Sequence, residues 1–215
     1  DLATATVTTI AHWVLAMRQV LDDAPQLMGV IDNELLYGLA YVEDNQLLNG
    51  GGTGSDLHGI YTQATALSAN PMIVSSPTKL DVIAAAILQQ NLTNLPCDGI
   101  VLNPADWTSM QMIKDTAGAY ILGNPQETAQ PRLWGLPVPL TPAMAVDKFL
   151  VGNFQQSATL YDRMAARVEA STEDGDNFRK NQITVLAEER IALAVKNTAG
   201  FTKGDFSDAV TDLTS

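Results

Sequence analysis

A single long helix is predicted over residues 23–48. Asp22 and Asp23 supply an N-cap and negative charge at the positive end of the helix dipole, and the glycines after Asn49 end the helix. A helix of this length spans roughly 36 Å, which is long for a chain of 215 residues and favours a structural spine over one wall of a compact bundle. Its apolar residues recur every four positions and share one face: Leu27, Ile31, Leu35 and Leu39.

The segments that flank this helix predict a mixed α+β fold. Residues 1–20 alternate small or β-branched residues with apolar ones and predict a strand, one arm of a hairpin whose first arm precedes Asp1. Residues 161–170 alternate in the same way. Residues 181–196 fit either a strand or a helix, and we favour a strand that pairs with 161–170 in a long hairpin.

The middle of the chain predicts a small mixed sheet with helices against it. One helix starts near Thr78, with Asp81 three residues later as an imperfect capping box. A second helix starts at Asn103-Pro104. Short strands are predicted at 99–102, 132–140 and 148–154.

The C-terminal residues, from Thr198 onward, predict a short tail. Two aromatic residues, Phe201 and Phe206, precede a stretch in which polar residues dominate. We therefore expect a short tail from Thr198 whose last residues fray.

The charge of the chain excludes several classes of function. There are 24 acidic and 12 basic side chains, giving a net charge of −12, whereas nucleic-acid binding and docking on an anionic membrane both need clustered Lys and Arg. Charged residues make up 17% against a typical value of about 25%, which suggests that much of the surface is covered by other subunits. No apolar run approaches the roughly 18 residues of a transmembrane helix.

The cysteine and histidine content argues against disulfide and zinc chemistry. Cys97 is the single cysteine, and His12 and His58 lie far apart in the sequence, so a zinc enzyme is not expected. A reducing compartment is the default interpretation. The chain has no signal peptide and begins at Asp1 rather than Met, and we interpret it as a fragment or a processed product.

The remaining motifs favour structural interpretations over chemical ones. The sequence GGGTG at 50–54 lacks the lysine of a phosphate-binding loop and follows a helix, which favours a structural turn. No residue that could act with His12, His58 or Cys97 is tied to them by spacing. The acidic cluster at 173–176 lacks the twelve-residue ligand pattern of a calcium loop and is interpreted as a solvated hairpin tip. We predict no catalytic residue, no cofactor and no metal, and therefore a structural assembly protein.

Several stretches, in order along nearly the whole chain, resemble the major capsid proteins of tailed bacteriophages and prophages with the Hong Kong 97-type fold. They are IAHWVLAMRQVLDDAPQL (10–27), LLNGGGTG (47–54), GIVLNPADW (99–107), YILGNPQE (120–127), LWGLPVPLT (133–141), VGNF (151–154), DRMAARVEAS (162–171) and DNFRKNQITVLAEERIALAV (176–195).

The resemblance implies an α+β capsid fold with two domains. A peripheral domain would comprise residues 1–63 and 163–195, with the end of an extended loop at 1–9, the spine helix at 23–48 and the long hairpin. An axial domain would comprise residues 64–162 and 196–215, a mixed sheet with flanking helices. The N-terminal arm and the first half of the extended loop would lie outside this chain.

The resemblance also implies a function and a set of partners. Copies would assemble as hexamers and pentamers into an icosahedral shell that encloses double-stranded DNA without sequence-specific binding, and a portal and a scaffold or protease would take part. The protein would reside in the virion capsid and, before assembly, in the cytoplasm of the host bacterium, with no membrane association. Trp13 and Arg18 are candidates for the subunit interface, where aromatic residues and Arg are enriched.

Some members of the family join neighbouring subunits by a Lys–Asn isopeptide bond, and the resemblance places the asparagine at Asn181 and the assisting glutamate at Glu188. A spacing of seven residues would put the two side chains on opposite faces of a regular strand, which suits a site built from different subunits. The lysine belongs in the extended loop, and residues 1–9 contain none. We therefore expect no crosslinking unless a lysine lies upstream, and expect Asn181 to be a strand-end residue and Glu188 to pair with an arginine.

Three other functions remain as alternatives. The same fold could form an encapsulin-like nanocompartment that encloses an enzyme. The chain could act as a self-acting catalyst of the Lys–Asn isopeptide bond. The chain could also be a nucleotide-binding enzyme in which GGGTG holds the nucleotide, and its affinity for the nucleotide would then be lost in Gly51→Val.

Overall fold

The computed structural model of the chain describes residues 5–19, 25–68, 77–115, 118, 120, 122 and 130–213. The predicted helix caps Asp22 and Asp23 and the first four residues of the predicted loop arm lie outside the described residues.

The described residues form helices and strands in alternation along most of the chain. The helices are α1 (Pro25–Asn49), α2 (Ile60–Gln63), α3 (Lys79–Leu92), α4 (Pro104–Gln111), α5 (Phe154–Ser157), α6 (Asn177–Lys180) and α7 (Phe206–Asp212), with a 3₁₀ turn at Thr198–Gly200. The strands are β1 (Thr8–Met17), β2 (Thr65–Ala66), β3 (Gly99–Leu102), β4 (Arg132–Leu133), β5 (Leu136–Pro137), β6 (Lys148–Gly152), β7 (Ala158–Ser171), β8 (Gln182–Val195) and β9 (Phe201–Asp205).

The chain divides into two compact units. Unit 1 comprises Asp1–His58 and Leu160–Ala194, and unit 2 comprises Gly59–Thr159 and Val195–Ser215. Contacts and strand membership assign the segments at the boundaries to their units. Lys203 donates hydrogen bonds to the Tyr61 and Thr62 carbonyls, which ties α2 to β9, whereas Leu160 and its neighbours belong to β7 of unit 1.

Unit 1 is a three-stranded sheet with the long helix packed against it. The strand order is β1-β8-β7, so the interpretation of 181–196 as a strand paired with 161–170 is confirmed. The N-terminal strand pairs antiparallel with β8, which local patterns did not reveal. The four-residue spacing in α1 places Leu35 and Leu39 in the core, and these residues meet a sheet face that includes Val185, Ala187 and Ile191, all buried.

Unit 2 is built around a four-stranded sheet of order β2-β9-β6-β3. Its strands β6 and β9 pair antiparallel, as do β3 and β6, and β2 runs parallel to β9. Helix α3 begins at a capping structure in which Asp81 accepts hydrogen bonds from the Thr78 N–H and hydroxyl, as its sequence predicts. One continuous core joins the sheet to α3, α4 and α7.

The predicted fraying of the residues after Phe206 is wrong as far as Leu213, because α7 covers the core there and follows β9, a central strand of this sheet. Phe201 and Phe206 are fully buried, and Ala209 and Leu213 are buried as well. The apolar spacing at 206, 209, 210 and 213 is that of an amphipathic helix. Ser207, Asp208 and Thr211, which lie between these positions, are exposed, and the polar residues of this segment concealed the pattern.

Candidate subunit-contact surface

Trp13 lies on the edge strand β1, on the sheet face opposite α1. The register pairs Trp13 with Leu186 and Ala11 with Glu188, while His12 points the other way, since a Cβ added to Gly38 of α1 would lie 3.1 Å from its Nδ1. The Trp13 side chain is 59% exposed. Beyond Ile10 the side chains of β1 are mostly exposed to solvent. Four of them are large and apolar: Trp13, Val14, Leu15 and Met17.

Helix α1 presents a second exposed apolar row. Tyr37 is 72% exposed, and Val30 and Tyr41 are exposed on the same side of the helix, at the spacing of i, i+7 and i+11. Leu160 and Tyr161 add exposed apolar surface on β7. Rows of exposed large apolar side chains such as these favour a surface that another protein covers.

The structure places Trp13 and Glu188 on the paired strands β1 and β8, and Arg18 and Asn181 just beyond one end of this pair. The Arg18 N–H donates a hydrogen bond to the Asn181 carbonyl at 3.0 Å, so the two residues meet at one end of the pair. Glu188 lies further along β8, next to Trp13 on the same face. Trp13 and Glu188 therefore share one face of the sheet of unit 1, and the exposed Arg18 lies at the end of the strand pair.

Glu188 is held by an arginine, as expected from the sequence. Arg167 of β7 donates to one Glu188 carboxylate oxygen through Nε at 3.0 Å and through Nη2, at 2.6 Å. The hydrogen bond with Glu188 and the nearby charge of Glu169 raise the pKa of the Arg167 guanidinium. The carboxylate is thus engaged by a permanent cation within its own chain.

Asn181 lies outside the strand, which changes the expected geometry. It follows helix α6 and adopts a left-handed conformation with φ of 53°, one that Asn tolerates better than most residues. Strand β8 begins at Gln182. The prediction of opposite faces for Asn181 and Glu188 is therefore wrong, because strand alternation does not extend to Asn181.

The glycine-rich loop is a turn closed by its own hydrogen bonds, as predicted. The Gly50 and Gly52 N–H groups donate to the carbonyls of Gln46 and Leu57, and the Leu57 N–H donates to the Gln46 side chain. Gly52 has φ of +70°, and a Cβ there would lie 2.8 Å from the His58 ring. The loop thus serves as the end of α1, and its amides are used within the turn.

The remaining candidates are the Cys97 thiol and the acidic cluster at 173–176. Burial raises the pKa of the half-buried Cys97 thiol, which makes it a weaker nucleophile at neutral pH. Asp174 accepts a hydrogen bond from the Thr184 hydroxyl, and Asp176 pairs with Arg179. Among the described residues, no group of three or more His, Cys, Asp or Glu side chains could hold a metal ion.

An apolar groove of about 700 Å³ in unit 2 contains little that could do chemistry. Prolines line much of it, and the one charged residue among its described walls is Asp98. That carboxylate already accepts hydrogen bonds from the Phe154 and Gln155 N–H groups at 2.8 and 2.9 Å. Within the described part of the chain, no helix is long and apolar enough to cross a membrane.

Sequence reasoning missed two features of unit 1. The exposed tyrosine row of α1 was detectable from its spacing, because a helix buried on one stripe leaves the opposite stripe to solvent. The inward-facing Glu189 of β8 had no comparable signal, because its neighbour Glu188 is of the same type and strand assignment alone does not decide which of them is buried.

Comparison with known proteins identifies the family. The family model for the phage capsid family matches residues 1–206. The chain is 49% identical over 204 residues to the major capsid protein of Enterobacteria phage HK97, covering 95% of this chain and 53% of that protein. It therefore spans about half the length of this curated relative.

Solved structures share the fold. The capsid of an empty GTA particle matches with a TM-score of 0.77 at 18% identity, over 95% of this chain and 74% of that chain. A chain from Gordonia phage Cozz matches with a TM-score of 0.74 at 13% identity, over 94% and 70% of the two chains. The predicted Hong Kong 97-type α+β fold is thus confirmed, and this chain belongs to the phage capsid family.

Proposed function

We propose that the chain is the structural subunit of an icosahedral phage or prophage shell, assembled from hexamers and pentamers. The observation that carries this proposal is the family match over residues 1–206. The exposed apolar rows on β1 and α1 support it, because they supply surface for neighbouring copies. We assign unit 1 to the peripheral domain and unit 2 to the axial domain.

The shell would enclose double-stranded DNA without binding it tightly. A chain with net charge −12 repels the phosphate backbone, so packaged DNA could move along the inner surface. A portal and a scaffold or protease would act with the shell during assembly in the cytoplasm of the host bacterium. The encapsulin-like alternative predicts a partner enzyme in place of packaged DNA.

Covalent crosslinking between subunits is a separate prediction, and a denaturing gel of the full-length product tests it. Glu188 would have to exchange its bond to Arg167 for a lysine amine before it could act as a base. We expect the subunit to run as a monomer on a denaturing gel unless the residues upstream of Asp1 supply that lysine. A covalent ladder that disappears in Asn181→Asp would instead establish the isopeptide reaction.

Electron microscopy tests the shell directly. The full-length product, expressed with every residue that its gene encodes upstream of Asp1, is expected to give closed particles or capsomer rings in negative stain. Protein that stays monomeric at high concentration would contradict the proposal. Particles that co-purify with an enzyme rather than DNA would favour the nanocompartment.

Trp13→Ala is expected to abolish or strongly reduce assembly while leaving the fold intact. The side chain is exposed, so its loss changes the free energy of unfolding by less than about 0.5 kcal/mol. A buried interfacial tryptophan commonly contributes about 2 kcal/mol or more to each contact. Particle yield by sedimentation and thermal unfolding of the same samples measure both effects.

Trp134→Ala is the matched control, because this tryptophan is exposed to a similar degree on unit 2. We expect it to affect assembly less than Trp13→Ala. Normal particle yield from Trp13→Ala would exclude this part of β1 from the interface.

A further inference from the structure

Unit 1 buries an acidic side chain that lacks a partner for one oxygen. Glu189 of β8 is 6% exposed, and among the described residues its Oε1 atom is buried and accepts no hydrogen bond. Its cross-strand partner is Ile10, and both Ile10 and the next residue on the same face, Ile191, are buried. Removing a carboxylate from water costs far more than removing the neutral acid.

The groups that face Glu189 from the neighbouring elements are mainly acidic. Glu43 of α1 and Asp162 of β7 both act on it electrostatically, and Asp44 acts on Glu43 in turn. Helix α1 also carries Asp32, one oxygen of which is buried without a partner among the described residues. On β1 the titratable residue on this side is His12, whose cross-strand partner is Ala187.

The basic residues of the sheet lie on its other face. Alternation along β8 places Arg190 opposite to Glu189, and Arg190 is exposed. On β7, Arg167 reaches Glu188 on the open face, whereas Asp162, of the opposite parity, acts on Glu189. Helix α1 contains no Lys, Arg or His from Pro25 to Asn49, so neither α1 nor these faces of β7 and β8 supply a cation to the buried carboxyl.

We propose that Glu189 is a proton-dependent latch between α1 and the sheet of unit 1. Under acidic conditions the buried side chain is a neutral carboxylic acid while α1 packs against the sheet, and it ionises more readily when α1 moves away and water reaches it. Acidic conditions therefore hold the helix on the sheet, and alkaline conditions favour its release. This inference rests on unit 1 itself and does not depend on the proposed shell.

The direction of the pH effect follows from the environment of the group. Burial, then the charges of Glu43 and Asp162, raise the pKa of Glu189 from its ordinary 4.5 to about 7, and burial also raises the pKa of Glu43. A folded-state pKa above the unfolded value means that the contribution to stability is complete below about 4.5 and is lost as the pH rises through about 7.

Hydrogen exchange of the full chain, measured by mass spectrometry between pH 5 and pH 8, tests the latch. After correction for the intrinsic exchange rate, peptides from α1 are expected to open on the order of 10- to 100-fold more at pH 8 than at pH 5. Peptides from α3 in unit 2 serve as the internal reference. The isosteric Glu189→Gln variant is expected to reduce the pH dependence strongly and to protect α1 at pH 8, with the remaining dependence due to Glu43, whose pKa is also raised.

Glu188→Gln is the matched control, since it changes the adjacent residue on the opposite face and should retain the pH dependence of the wild-type chain. A wild-type α1 whose protection does not change with pH, or an equal pH dependence in Glu189→Gln, would overturn the latch. If Glu189→Gln fails to fold, a carbon-13 titration of the wild-type Glu189 carboxyl decides the matter. A midpoint near 7 supports the latch, and one near 4.5 refutes it.

Discussion

Phe206→Ala is expected to destabilise unit 2 by about 3–5 kcal/mol. The Phe206 side chain is 1% exposed, and its ring centroid lies 4.9 Å from that of Phe149 on β6. The Lys79 Nζ lies 5.2 Å from the same ring centroid, and Leu213 belongs to the same core. Truncation would leave a cavity at the point where α7 is anchored to the sheet.

Urea denaturation followed by tryptophan fluorescence measures this effect, because Trp107 is the buried one of the three tryptophans and belongs to the same core. Phe178→Ala is the matched control. Its side chain is 83% exposed, so the unfolding midpoint should stay within experimental error of wild type. An unchanged midpoint for Phe206→Ala would mean that α7 contributes nothing to the fold of unit 2.

Asp106→Ala is expected to cost about 2–4 kcal/mol, the next largest effect. The Asp106 carboxylate is 2% exposed, and one oxygen accepts from the Lys79 ammonium at 2.7 Å. The other oxygen accepts from the Asp147 N–H at 2.8 Å. Removing the carboxylate leaves a partly buried cation without its partner and a backbone donor without an acceptor.

The destabilisation caused by Asp106→Ala should extend to α7, because Asp147 connects Asp106 to this helix. Asp147 has a left-handed backbone with φ of 70°, its carbonyl accepts from the Phe206 N–H at 2.8 Å, and its carboxylate accepts from the Ser207 hydroxyl at 2.6 Å. We expect faster hydrogen exchange in α7 as well as a lower unfolding midpoint.

Arg179→Ala provides the comparison for a surface ion pair. Arg179 and Asp176 are both exposed, and such pairs contribute about 0–1 kcal/mol. If Asp106→Ala changed the midpoint no more than Arg179→Ala, the buried ion pair would have no structural role.

Local patterns predicted the elements whose apolar residues lie close together in sequence. The apolar residues of period four and Gly50-Gly51-Gly52 defined α1, and alternation defined β7, because each of these signals reflects the geometry of a single segment. The pattern of β8 fitted a helix as well, and its pairing with β7 was the reason to favour a strand. The order of resemblances along the chain predicted the family, which the family model and the phage HK97 relative confirm.

Pairing and burial required contacts between distant parts of the chain. Strand β9 pairs with β6, about 50 residues earlier, so nothing near Phe201 marks it as a central strand. Likewise, β1 reaches β8 from the other end of the chain. Register is a property of two segments together, and a single sequence window does not contain it.

The two adjacent glutamates of β8 show most clearly what one segment determines by itself and what contacts between distant segments determine. The sequence by itself favoured a strand for this segment and determined that, in a strand, the adjacent Glu188 and Glu189 point to opposite faces. Only the tertiary structure decided that Glu188 meets Arg167 on the open face while Glu189 is buried beneath α1 near Glu43 and Asp162. The physical reason is that alternation is set by the backbone of one strand, whereas burial depends on which face the helix covers.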